Sequence, residues 1–241
     1  VTADVMKIML NGSFGKLGSK YSIFYSPDML VQVTLTGQLS LLLLISELED
    51  AGISVVSANT DGVVLSYNDF SPDHVVKAWE KLTRLETDIT PYKAIHNRDV
   101  NSYINIKKSG GVKTKGAFAL DSIVKNPHGD IAIIAAINYL DKGTPIETTI
   151  NDCKDIRKFL LARKVTDGAV KNGALLGKVV RWYYSTQENG HIEYAKNGNK
   201  VSESDGGRPL MTLPESFPDD VDYQRYILMA NDILTDVGVV K

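Results

Sequence analysis

Cysteine is nearly absent: Cys153 stands alone in 241 residues. No intrachain disulfide can form, and the chain fits a reducing compartment. Histidine is scarce as well. His74, His96, His128 and His191 are scattered, and with one cysteine they make no metal-ligand spacing. Long hydrophobic runs are missing: Leu41 to Ile45 falls far short of the ~20 residues needed to cross a bilayer. No signal-peptide pattern opens the chain. The resulting expectation is a cytoplasmic protein with no membrane partner. Neither charge is in excess. The formal net charge of −2 gives no global attraction to nucleic acid, so any such binding must rest on local patches.

What is present is ordinary for a globular chain, 43% hydrophobic and 23% charged, with enough length for one or two domains. Two basic patches occur. Lys107, Lys108, Lys113 and Lys115 form one, and Lys154 through Arg157, Lys158, Arg163, Lys164, Lys171 and Lys178 to Arg181 form the other. Taken singly, each patch reads as a solvated surface. There are no repeats and no low-complexity tract.

Local patterns predict the elements. Residues 1 to 11 read as a helix broken by Gly12, Gly15 and Gly18. Ser26-Pro27-Asp28 starts a long helix to about Asp50, closed by Gly52 and apolar nearly all round, which predicts burial. Ile53 to Ala58 and Val63 to Tyr67 flank Asn-Thr-Asp-Gly, a hairpin signal. Asp69-Phe70-Ser71-Pro72 reads as the cap of a further helix, with Val75, Trp79, Leu82 and Glu86 on its amphipathic pattern. Strands are expected near 90–96, 102–107 and 112–120. After Asn126-Pro127-His128-Gly129 come helices near 130–141 and 151–163, strands at Lys178–Ser185 and His191–Ala195, a loop from Asn197 to Arg208, and a last helix at Asp222–Asp236. Trp182, Tyr183 and Tyr184 are expected to pack in the core. The fold class read from this is α+β, with a small antiparallel sheet and packed helices.

Two stretches carry chemistry. In Lys7-Ile-Met-Leu-Asn11-Gly-Ser-Phe14-Gly15, Lys7, Asn11 and Phe14 share one helix face. The stretch is not a kinase glycine loop, because Leu10 stands where its first glycine belongs and no strand precedes it. Nor is it a P-loop, because Leu17 follows Lys16. The second stretch, Val55-Val56-Ser-Ala-Asn59-Thr60-Asp61-Gly62-Val63-Val64-Leu65, puts one carboxylate at a tight turn.

In that order the two stretches resemble motifs B and C of the family B DNA polymerases, in a bacteriophage-like form. The resemblance implies that Lys7 meets the phosphates of the incoming nucleotide, Asn11 positions it, Phe14 floors the nascent pair and Gly15 permits close approach. Asp61 matches the metal-binding Asp of Asp-Thr-Asp-Ser; Asn59 replaces the first Asp, Gly62 the Ser, and Ser57 a usual Tyr. Asn59 and Thr60 are implied to lie near the primer. Asp99-Val-Asn-Ser-Tyr103 with Val112-Lys113-Thr-Lys115-Gly116 resembles the Lys-x-Tyr primer-gripping segment. Tyr103 and Lys115 fit, Val100 and Asn101 stand near where a lysine pair is usual, Lys107 is the candidate replacement for that charge, and Lys113 is implied to contact primer DNA. Arg181 and Arg208, in segments like those of phage thumbs, are implied phosphate contacts. The implied cofactor is a pair of Mg²⁺ ions and the partners are primer–template DNA and deoxynucleoside triphosphates.

The implied layout is the end of the fingers at 1–20, a palm at 21–120 and a mixed helical and strand thumb at 121–241. Motif A, which carries the other metal carboxylate, has no match in the chain. The opening at Val1, inside what reads as a helix, leads us to expect a truncated or excised piece, inactive alone, whose N-terminal polymerase portion carries motif A. Two alternatives stay open: a C-terminal subunit of a split-gene polymerase, and a non-catalytic DNA-binding module derived from one. In each, the setting expected is the cytoplasm of a phage-infected bacterial cell.

Overall fold

A computed structural model describes residues 2–68, 70–120 and 127–239, with the side chains of 2–4 left aside. Asp69 and Asn126, used in the sequence reading, lie outside the described residues. The architecture is mixed α and β, with three antiparallel sheets, and the chain divides into two compact units, Val1–Ile89 and Thr90–Lys241.

In the first unit, α1 (Thr2–Leu17) runs through Gly12 and Gly15 and ends only at Gly18. The expected break at Gly12 is corrected: isolated helix glycines cost about 1 kcal/mol each, which good formers around them absorb. α2 (Pro27–Asp50) starts at the predicted Pro, although Ser26 makes no side-chain cap. Its end is a Schellman motif. Gly52, at φ +78°, donates its N–H to Glu49 O, and Ile53 donates to Leu48 O. Leu48 and Ile53 are both buried, supplying the apolar contact that accompanies this exit.

The chain then enters the hairpin of β1 (Ser54–Asn59) and β2 (Gly62–Ser66). A bulge at Val56 bends β1. α3 (Asp73–Thr83) packs Val75, Val76 and Trp79 against Leu44, Leu48 and Ile53, and the Trp79 indole donates to Ser40 O at 2.8 Å. Two expectations fail here. Leu82 is exposed in the last turn and Glu86 lies beyond the helix, which Arg84 ends in the left-handed conformation.

The predicted burial of α2 is also corrected: only Leu44 and Leu48 are buried. Its apolar middle has no cover among the described residues, because α3 meets only its C-terminal part. The same helix corrects the estimate made from continuous runs. With no charged residue between Asp28 and Glu47, Pro27–Asp50 is long and apolar enough to cross a membrane by length and composition.

In the second unit, β3 (Tyr92–Asp99), β4 (Ser102–Lys107) and β5 (Val112–Lys115) form an antiparallel sheet. Ile104 packs with Phe118 and with Ile133 of α4 (Asp130–Lys142). The one small sheet expected before residue 120 is thus two sheets, one in each unit. The helix expected at 151–163 is replaced by α5 (Ile146–Asp152), a 3₁₀ turn at Ile156–Phe159 and the strand β6 (Leu161–Lys171). Backbone pairing overrides the helical spacing there: Gly129 N–H bonds Leu160 O, and Ala162 N–H bonds Pro127 O.

β6 pairs with β7 (Ala174–Tyr184), flanked by β8 (Glu193–Tyr194) and β9 (Gly207–Pro209), the latter overlapping the end of the expected 197–208 loop. Central β7 buries Val180, Trp182, Tyr183 and Tyr184, in keeping with the core role expected of the three aromatics. α6 (Tyr223–Asp236) begins at Asp222, whose carboxylate accepts from Arg225 N–H.

Tyr226 ties the unit together. Its hydroxyl donates to Phe159 O at 2.7 Å and accepts from Tyr184 N–H at 2.9 Å, while its ring sits edge-on to Phe159. Tyr226→Phe leaves a buried N–H and a buried C=O without partners, so we expect a loss of roughly 2–4 kcal/mol in urea unfolding. On β6, the buried Lys171 ammonium bonds Glu188 at 2.8 Å and Gly207 O at 2.6 Å. This partner, with Arg208 adding to it, holds the Glu188 carboxyl below the usual range. A lowered folded-state pKa contributes stability that is present above the unfolded value and lost as pH falls through the folded one. Unfolding midpoints measured below about pH 4.3 should therefore fall with acid, and Glu188→Gln should flatten that part of the profile.

Candidate nucleic-acid interface

Lys7, Asn11 and Phe14 lie on successive turns of one face of α1, and all three are exposed. A β-carbon placed on Gly15 would meet nothing within 4 Å, so its lack of a side chain serves no packing inside this chain. The face joins a cation, an amide and a flat ring, the groups suited to a triphosphate and a base.

Asp61 sits at the apex of the β1–β2 hairpin. Asn59 faces Gly62 as the closing pair, which leaves Thr60 and Asp61 as the loop. Thr60 is left-handed at φ +55°, unusual for a β-branched residue, and the Asp61 N–H donates back to Asn59 O at 2.7 Å. The Thr60 hydroxyl donates to the Asn59 amide oxygen at 2.9 Å. Asp61 is the only charged residue from Ile53 to Tyr67, and it is exposed.

The lysine candidates share another sheet. Tyr103 pairs with Lys115 and Asn105 with Lys113, and alternation turns Tyr103, Asn105 and Lys107 to the face opposite Ile104 and Ile106. The Lys115 ammonium lies 6.0 Å from the Tyr103 ring centroid. Between Ser102 and Gly116 there are four lysines and no carboxylate, and among the described residues none of the four has an ion-pair partner. Gly116 is required: at φ +67°, an added β-carbon would lie 2.1 Å from Asn101 O. Asn105 was not anticipated as a site residue. It is buried amid these lysines, and its side-chain oxygen has no hydrogen-bond partner among the described residues. Its place two residues after Tyr103 was the available signal.

The two arginines differ. Arg181 is exposed on β7 and, with Arg157, flanks a cleft of about 300 Å³ lined by Leu160, Leu210, Met211 and Leu213. Arg208 is held by carboxylates, through Nε to Glu188 at 3.1 Å and through Nη1 to Asp220 at 2.6 Å. Asp220 also accepts from Tyr183 and Ser185, and burial pushes the Tyr183 phenol up to about 12. Arg208 therefore serves an internal network.

A two-magnesium centre needs hard oxygen donors from more than one carboxylate. Among the described residues no three His, Cys, Asp or Glu side chains cluster, and Asp61 is the single carboxylate of its hairpin. The residues present do not fit that centre as a set. No protein-family model matches this chain, and no curated protein matches it.

For the lysine face we expect counterion release to govern affinity. Lys113→Ala and Lys115→Ala should each reduce the slope of log K against log salt by about 0.7–0.9, measured by anisotropy on a labelled primer–template. Arg208→Ala should leave the slope unchanged.

Proposed function

We propose that this chain is part of a template-directed DNA polymerase that extends a primer 3′ end with deoxynucleotides, and that it is inactive by itself. One observation carries the reading. A helix with Lys7, Asn11 and Phe14 on one face, a long helix, and a hairpin with its only carboxylate at the apex follow each other within one compact unit. In this reading 1–20 close the fingers, 21–120 serve as palm and 121–241 as thumb, a division of roles rather than of compactness. Lys7 balances triphosphate charge, Phe14 presents its ring to the nascent pair, and Asp61 supplies a carboxylate to the reacting centre. Tyr103, Lys113 and Lys115 hold the primer strand through phosphate contacts, which position without reading sequence. The reaction is attack of the primer 3′-hydroxyl on the α-phosphate, with pyrophosphate leaving, and a chain of this kind contributes mainly positioning and charge.

A second reading is a non-catalytic DNA-binding module. Asn59 and Gly62 beside Asp61, the single carboxylate from Ile53 to Tyr67, favour it. Primer extension by the assembled polymerase separates the two. We expect Asp61→Ala to lower extension at least about 100-fold, the upper loss typical of even the outer partners of a metal, with primer–template affinity kept. Equal extension by both forms would leave only the binding module.

A further inference from the structure

The Thr90–Lys241 unit carries a groove along the segment that follows β9. Two clefts, of about 300 and about 230 Å³, share Arg157 and Leu213 as a common wall. The larger is floored by Leu160, Leu210, Met211 and Leu213, and among the described residues its charged lining is Arg157 and Arg181 alone. Met211 and Leu213 are 45% and 56% exposed, so the groove keeps apolar surface open to water.

Its wall is held at both ends. The Leu210 N–H donates to Arg181 O at 2.8 Å. Phe217 stacks on Tyr223 and sits edge-on to the buried Phe159. The stretch between them has neither helix nor strand, yet it is pinned to β7 and to the core. The two arginines differ in what they already hold. Arg157 is engaged by Asp155 through Nε at 2.8 Å and Nη2 at 2.9 Å. Arg181 is exposed and has no ion pair among the described residues. The larger cleft therefore sets one uncompensated guanidinium beside an aliphatic floor.

That combination selects its guest by charge and polarity. A phosphodiester meets the guanidinium but has nothing to bury on the floor. A purely aliphatic guest leaves Arg181 unused. A peptide with an apolar side chain next to a carboxylate satisfies both, and a guanidinium fork suits a planar carboxylate. The volume lies at the low end for ligand sites, room for a residue or two rather than a helix. Pro209 closes edge strand β9 and has no N–H to give an added strand, so side chains must carry the recognition.

We propose that this groove binds a short acidic and apolar peptide segment of a partner protein. The carboxylate rests on Arg181 and the adjoining apolar side chain on Leu160, Met211 and Leu213. The test is an array of peptides Gly-Ser-X-Z-Ser-Gly, with X and Z each run through every amino acid, probed with the full chain. We expect signal where Asp or Glu adjoins Leu, Ile, Met or Phe, and Arg181→Glu should move it to peptides with Lys or Arg in place of the acid. Arg181→Ala and Leu213→Ser should each weaken the best array peptide about tenfold in an anisotropy titration. Both side chains are exposed, so circular dichroism should stay unchanged. Equal signal from neutral or basic peptides, signal indifferent to Arg181→Glu, or no signal would overturn the proposal. Loss of primer–template affinity in Arg181→Glu without any array signal would also overturn it, and would assign the groove to the DNA backbone.

Discussion

The contact between Leu48 and Ile53 sets the geometry on which the candidate site depends. Gly52 can take the left-handed conformation at no steric cost, so α2 stops and the chain reverses with its last carbonyls satisfied. Both side chains are then buried with Trp79, Val75 and Val76, which fixes the direction in which β1 leaves. The hairpin has only five or six residues in each strand, so its tip inherits that direction. Asp61 projects from a rigid exit. A side chain at Gly52 would strain the φ of +78° and loosen hairpin and helix together.

Charge is distributed differently in the two units. The hairpin of the first carries one carboxylate and nothing to neutralise it nearby in sequence. The second unit keeps Lys171, Arg208, Glu188 and Asp220 inside an internal network, where leaving any one unpaired is costly. Among the described residues, its cations without an ion pair include the lysines of β4 and β5 and the exposed Arg181. A strand-holding role for the unit draws on those lysines, and the network is the scaffold behind them.

Much of this was legible in the sequence. Pro27 and Gly52 delimit α2, Asn-Thr-Asp-Gly makes the hairpin, and the alternation around Tyr103 gives β4, because each rests on local backbone chemistry. The burial of Trp182, Tyr183 and Tyr184 was legible for the same reason. What failed were inferences that need a partner surface. α2 was expected in a core because it is apolar all round, yet the described residues cover only its last turns. Leu160 has helical spacing with Ile156, yet its carbonyl accepts from Gly129 N–H, and Leu161 pairs with His128 and opens a strand. Arg208 reads as a surface cation until Glu188 and Asp220 are brought to it from 20 and 12 residues away. Asn105 carries no sequence signal beyond its parity with Tyr103.

The central claim is that Asp61 is one half of a metal site. Titration calorimetry of Mg²⁺ and Mn²⁺ into the full chain, beside Asp61→Ala, tests it most directly. The account predicts weak binding of one ion at most, lost in the variant, because a single carboxylate cannot neutralise and space two divalent cations. Tight binding of two ions by this chain alone would contradict it and would mean that a complete centre lies within these residues.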